Sequence, residues 1–154
     1  MFVGRKKELD ALNSRYKSNR KEFGVLYGRR RIGKSSILNE FLKDKKGILF
    51  QAKQDNSYGN LKSFSYEVDH LLNLPDTFVF ASWQHAFKSI QEYAKNERFV
   101  LIIDEYPYIV SQDSSFSSVL QEFIDHTSDN MMVILSGSDI GFLQREIQNH
   151  ASPL

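Results

Sequence analysis

Cysteine is absent from this 154-residue chain, which excludes disulfides, thiolate nucleophiles and cysteine-ligated zinc or iron–sulfur centres. Proline is scarce. Pro75, Pro107 and Pro153 are the three; each falls where the apolar periodicity breaks and reads as punctuation between elements. An excess of charge is lacking as well: twenty Lys and Arg against nineteen Asp and Glu leave +1. That balance argues against a surface that is wholly a nucleic-acid or membrane footprint, while a local basic patch stays open. No apolar stretch approaches the ~18 residues of a membrane span. Arg5, Lys6, Lys7 and Glu8 arrive before the apolar core of a signal peptide has room to form. There is no repeat, no low-complexity tract and no Gly/Ser linker. What is left is ordinary globular composition, 41% hydrophobic and 25% charged, at about the length of one domain. The expectation is a single cytoplasmic unit over residues 1–154, with enough chain to bury its own core.

Short apolar runs alternate with helical patterns. The runs are 23–27, 47–51, 99–103 and 131–135. Between them, Ile37, Leu38, Phe41 and Leu42 share a helix face, as do Leu61, Phe64, Val68, Leu71 and Leu72. Trp83, Ala86, Phe87, Ile90, Tyr93 and Ala94 mark another helix, and Phe116, Val119, Leu120, Phe123 and Ile124 a further one. An amphipathic helix with Leu9, Leu12 and Tyr16 comes first, and a last short helix is expected near Asp139. Continuous apolar runs suit strands buried on both faces, the mark of a parallel sheet covered by helices. The predicted fold is therefore α/β, with three αβα layers and a mostly parallel sheet. The aromatic stripes read as core, since helical spacing onto a sheet already explains them.

The segment Gly28-Arg29-Arg30-Arg31-Ile32-Gly33-Lys34-Ser35 matches G-x-x-x-x-G-K-[ST], with an apolar run before it and a helix pattern after it. Glycine lets the backbone approach phosphates with no Cβ in the way. Successive amides then form an anion nest, to which the helix N-terminus beginning near Lys34, Ser35 and Ser36 adds partial positive charge. Lys34 is placed to reach the β- and γ-phosphates, and the Ser35 hydroxyl to hold Mg²⁺. The three arginines occupy variable positions and read first as solvated charge.

The run 99–103 ends directly in Asp104-Glu105. Two acids at the end of a buried strand are costly unless something there wants negative charge, and ligands of open α/β sheets bind at strand tips. Because successive strand side chains point to opposite sides, the two acids are expected to do different jobs. Asp104 is assigned to the Mg²⁺ shell beside Ser35, and Glu105 to polarising the attacking water. The fourth run ends in Ser136-Gly137-Ser138. Ser136 is the first candidate, and Ser138 the second, for a hydroxyl reaching the γ-phosphate or the water. An ordinary turn is the alternative.

Taken together, Phe2-Val3-Gly4-Arg5, the loop from Tyr27 to Ser35, Leu101-Ile102-Ile103-Asp104-Glu105-Tyr106 and Leu135-Ser136-Gly137-Ser138 resemble the archaeal and bacterial AAA+-type ATPases of the STAND-like group. The resemblance runs through nearly the whole chain in the family's order. It implies that the glycine-rich loop is a Walker A motif, the run ending in Asp104-Glu105 a Walker B motif and the Ser136 tip a sensor 1. It also implies that Phe2, Val3, Gly4 and Arg5 lie on the adenine side. Read without the family, that opening segment is either a short apolar stretch before an amphipathic helix that can sandwich a base or an N-terminal strand packing on the core. Such ATPases carry a fifth strand and a helical lid, often followed by a further module. The expectation is thus a core without its last strand and lid, with its first strand at an exposed edge open to self-association.

The implied function is ATP binding and Mg-dependent hydrolysis coupled to a conformational switch in the parent protein. The rival reading is a nucleotide-switched binding module with little or no hydrolysis, signalling to a protein or, through a further domain, to DNA. A GTPase would need Asn/Thr-Lys-x-Asp after its acids, and the nearest string, Ala52-Lys53-Gln54-Asp55, starts with the wrong residue and precedes them. A small-molecule kinase has no need of the Asp104-Glu105 tip. His70, His85, His126 and His150 show no metal-ligand spacing, and His70 and His85 fall on helix surfaces.

Overall fold

The computed structural model describes residues 6–27, 33–75 and 78–137. The first five residues, the loop residues Gly28, Arg29, Arg30, Arg31 and Ile32, and everything from Ser138 onward, including the helix expected near Asp139, lie outside the described residues.

The chain runs α1 (Lys6–Tyr16), β1 (Glu22–Tyr27), α2 (Lys34–Leu42), β2 (Gly47–Gln51), α3 (Ser57–Leu72), α4 (Trp83–Tyr93), β3 (Phe99–Asp104), α5 (Pro107–Gln112), α6 (Phe116–His126) and β4 (Met131–Gly137). All four apolar runs are strands, paired in parallel in the order β1-β4-β3-β2. The connection through α2 travels from β1 to the far edge, whereas the later connections step back from β2 to β3 to β4. Right-handed crossovers running in opposite directions put their helices on opposite faces of the sheet.

The core divides accordingly. Val100 and Ile102 of β3 and Met132 and Ile134 of β4 face Leu12 of α1 and Ile37, Leu38 and Phe41 of α2. The alternate residues Phe99, Leu101, Ile103, Met131, Val133 and Leu135 face the helices α3 to α6. Every residue of β3 and β4 is buried, as continuous apolar runs in a covered parallel sheet require. The result is the expected three-layer αβα sandwich. On the larger face the aromatic stripes are core: Phe87 stacks on Phe123 at 4.8 Å, and Trp83 meets Phe116 edge-on at 4.9 Å.

Local signals account for most boundaries. Asn56 caps α3 by accepting from the Gly59 amide at 2.7 Å, and Asn73 ends it in the left-handed region at φ 58°. Ser82 caps α4 by accepting from the His85 amide. His70 and His85 are exposed on those helices, as expected. One helix goes beyond the sequence pattern. Pro107, which reads as a break, opens α5, because a fixed φ and a missing N–H cost nothing in the first turn of a helix.

Candidate nucleotide site

All four strands point their C-terminal ends the same way, so the ends of β1, β3 and β4 and the start of α2 at Lys34 gather at one rim of the sheet. Gly33 takes φ 80° and ψ 21° immediately before α2 and uses no side chain to cap it. That left-handed conformation strains any residue with a Cβ. The uncapped first turn leaves its amides facing outward from the helix end, which favours an anion there. Lys34 is the first residue of α2 and is buried, while Ser35 next to it is exposed.

The buried Lys34 points at the two acids. Its Nζ lies 2.9 Å from Asp104 Oδ1 and 3.0 Å from Glu105 Oε1, with all three side chains at 7% exposure or less. Strand alternation predicts that the acids diverge. They converge instead, because Asp104 ends β3 and Glu105 turns into the left-handed region at φ 55°. A non-glycine residue held there is strained by roughly 1–2 kcal/mol, and such strain is typically kept where surrounding contacts over-determine it. Here the Glu105 amide donates to Asp104 Oδ1 at 3.0 Å, and the Tyr106 amide donates to the Ser136 carbonyl at 3.2 Å.

Asp104 Oδ1 collects further donors. Ser136, fully buried and level with Asp104 in the β3–β4 register, donates its hydroxyl proton at 2.8 Å. The site thus brings together Lys34, Asp104, Glu105 and Ser136, four of the residues singled out from the sequence. Ser35 and Asp104 share the wall of an adjoining cavity of about 360 Å³. A hydroxyl and a carboxylate are hard oxygen donors, the type Mg²⁺ takes together with phosphate oxygens and water, so this pair fits that ion. Among the described residues no cluster of three or more His, Cys, Asp and Glu could hold a metal by itself.

Sequence reasoning missed the opposite wall of that cavity. Gln51, Lys53 and Glu67 line it from the end of β2 and from α3. The readable signal was position: Gln51 lies level with Asp104 in the β2–β3 register, at the strand-tip rim where ligands of such sheets bind. Asn60, buried in α3, holds this wall by accepting from the Lys53 amide at 2.9 Å and donating to the Lys53 carbonyl at 3.0 Å. A second cavity, about 260 Å³, opens between α1 and the end of β1, against Lys7, Glu8, Ala11, Leu12 and Leu26. Phe2, Val3, Gly4 and Arg5, expected on the adenine side, lie outside the described residues, as do Gly28 to Ile32 and Ser138.

With this geometry in place, residues 2–154 match the family described as an ATPase domain predominantly from Archaea. The chain belongs to that family. It is 28% identical over 156 residues to the uncharacterized protein MJECL04 of Methanocaldococcus jannaschii, covering 100% of this chain and 33% of that protein. It is 46% identical over 46 residues to the uncharacterized ATP-binding protein MJ0423 of the same organism, 30% of this chain and 78% of that one. In fold it is similar to the Walker-type ATPase PABY2304 of Pyrococcus abyssi, with a TM-score of 0.73 and 20% identity over 96% of this chain and 48% of that one. The chain thus spans a third of the first of these relatives and about half of the solved structure. It is an ATPase-family domain, and its parallel αβα core has the fold of that Walker-type ATPase. No helix among the described residues is long and apolar enough to cross a membrane.

Proposed function

We propose that this domain binds ATP with Mg²⁺ and hydrolyses it, and that the parent protein couples the reaction to a conformational switch. The observation that carries the reading is the meeting of Lys34, Asp104 and Glu105 around one ammonium at the strand-tip rim, beside the uncapped start of α2.

In this reading the amides of the 28–33 loop and of the first turn of α2, with Lys34, Ser35 and Ser36, bind the phosphates. Phe2, Val3, Gly4 and Arg5 directly precede α1, whose residues Lys7 and Ala11 line the 260 Å³ cavity, which supports an adenine side there. Ser35 and Asp104 hold Mg²⁺, which when bound supplies positive charge to the phosphoryl oxygens. Glu105 orients the attacking water and takes its proton. The Ser136 hydroxyl is engaged with Asp104, so its role is to position that carboxylate. Arg29, Arg30 and Arg31 extend the positive charge of the loop.

Calorimetry of Mg-ATP with the wild-type chain and with Lys34→Ala tests the binding reading. Saturable binding that Lys34→Ala weakens strongly is expected, and identical isotherms for both folded proteins would overturn it. For hydrolysis, Glu105→Gln should keep Mg-ATP affinity and abolish phosphate release. Unchanged release would remove Glu105 from the base role.

A further inference from the structure

Lys53 lies just past the end of β2, and its backbone is fixed while its side chain is not. The Ala52 amide donates to the Asp104 carbonyl at 2.9 Å, carrying the β2–β3 pairing one residue beyond the strand. Asn60 then takes over, accepting from the Lys53 amide at 2.9 Å and donating to the Lys53 carbonyl at 3.0 Å. Asn60 is 2% exposed, and a buried amide is costly unless its bonds are satisfied. A costly residue of α3 is thus committed to fixing where the Lys53 side chain starts. The Lys53 ammonium itself has no hydrogen-bond or ion-pair partner among the described residues. It lines the cavity of about 360 Å³ that Ser35 and Asp104 also line. Among the described lining residues it is the one cation, beside the carboxylates of Glu67 and Asp104.

We propose, resting on the nucleotide reading of this rim, that Lys53 is a specificity-determining residue whose ammonium binds the terminal phosphate of ATP from the β2 side and so separates triphosphate from diphosphate. In that reading Lys34 and the loop amides hold the phosphates from the α2 side, and Mg²⁺ sits with Ser35 and Asp104. A terminal phosphate beside that pair faces the cavity, where Lys53 is the cation free to meet it. A diphosphate has no group to offer there. Selectivity follows from charge as well as from reach. Without the Lys53 ammonium, the cavity meets an incoming phosphate with the carboxylates of Glu67 and Asp104, and like charges brought together are disfavoured. Lysine suits the task, since a compact ammonium on a flexible stem binds phosphate as a point charge. The fixed backbone leaves only the side chain to be ordered on the ligand, which limits the entropy lost.

Calorimetry of Mg-ATP and Mg-ADP with the wild-type chain, Lys53→Met and Lys62→Met tests the assignment. Lys53 is exposed, so Lys53→Met is expected to fold, and an unchanged ADP affinity would itself report an intact site. Lys53→Met should weaken Mg-ATP roughly tenfold, the loss of one charge-assisted bond, and leave Mg-ADP as in the wild type. Lys62, also exposed on α3 but not among the residues lining the cavity, controls for the general loss of a positive charge, and Lys62→Met should bind both nucleotides as the wild type does. Equal weakening of ATP and ADP by Lys53→Met, no weakening of either, or an equal loss of ATP preference in Lys62→Met would each overturn the proposal. A wild type that binds neither nucleotide would overturn the nucleotide reading and this one with it. A wild type that binds Mg-ATP, with a preference over Mg-ADP that survives Lys53→Met, would overturn this one alone.

Discussion

The Ser136 hydroxyl donates a 2.8 Å hydrogen bond to Asp104 Oδ1, between two residues that sit level in the β3–β4 register. A hydrogen bond to a charged group contributes about 1.5–3 kcal/mol. Because Lys34 and the Glu105 amide also hold that oxygen, Ser136→Ala should cost at the lower end of that range in urea unfolding. The larger effect is expected on the site. A carboxylate freer to rotate binds metal less well, so the Mg²⁺ concentration for half-maximal ATP turnover should rise. A variant that loses stability with no change in metal dependence would limit Ser136 to packing.

Asn60 acts on the opposite wall of the same cavity. Its side-chain amide pairs with both backbone groups of Lys53, as a neighbouring strand would. Asn60→Ala removes two part-buried hydrogen bonds to the exposed Lys53, at about 0.5–1.5 kcal/mol for each. Hydrogen exchange should quicken at the Lys53 amide while β3 and β4 keep their protection. Uniform loss of protection across the sheet would mean that Asn60 supports the whole fold.

The two faces of the sheet are legible in the sequence because their physics is local. Runs such as Val100-Leu101-Ile102-Ile103 have no polar alternation, and only a doubly covered strand tolerates that. The 3.6-residue spacing of Trp83, Phe87 and Ile90 needs a single apolar surface beneath it, and finds one. The positive φ at Gly33 and the Asp104-Glu105 tip are legible because one is a place for glycine and the other sets costly residues at a strand end. The convergence of the acids is not legible. It depends on one dihedral, the φ of 55° at Glu105, which strand alternation cannot anticipate. Likewise α5 stays hidden because proline is equally at home as a break and as the first residue of a helix. The pairings of Asn60 with Lys53 and of Ser136 with Asp104 require the register of strands and loops far apart in sequence.

Gly47 opens β2 against β3, and a Cβ there would run into the Val100 carbonyl oxygen and approach Leu42 Cδ1 at 2.6 Å. Strand β3 is central and cannot recede. Gly47→Ala should therefore destabilise by about 1–3 kcal/mol, as overpacking does, despite the better strand propensity of alanine. Denaturant midpoints measure this, and a neutral result would show that β2 shifts outward at its edge.

Arg98, just before β3, ties together the end of α1 and the turns before β1 and β4. Its guanidinium donates to the Tyr16 carbonyl at 3.1 Å, to Arg20 and Asp129 at 2.7 Å each and to Arg15 at 3.3 Å. Two of these carbonyls close α1, where the helix dipole favours a cation. The other two belong to the turns leading into β1 and β4. Burial lowers the Arg98 pKa from its ordinary value, but a guanidinium stays charged across the working pH range, so the clamp is insensitive to pH there. Arg98→Ala removes all four bonds and should cost about 3 kcal/mol, since bonds to charged donors are the stronger ones. Arg98→Lys keeps the charge but replaces a planar fork with a single point, which cannot span four carbonyls, and should recover less than half of that loss. Urea unfolding of the three proteins reads the difference. Full recovery by lysine would mean that charge at the end of α1, and not the reach of the guanidinium, is what holds α1 to the base of the sheet.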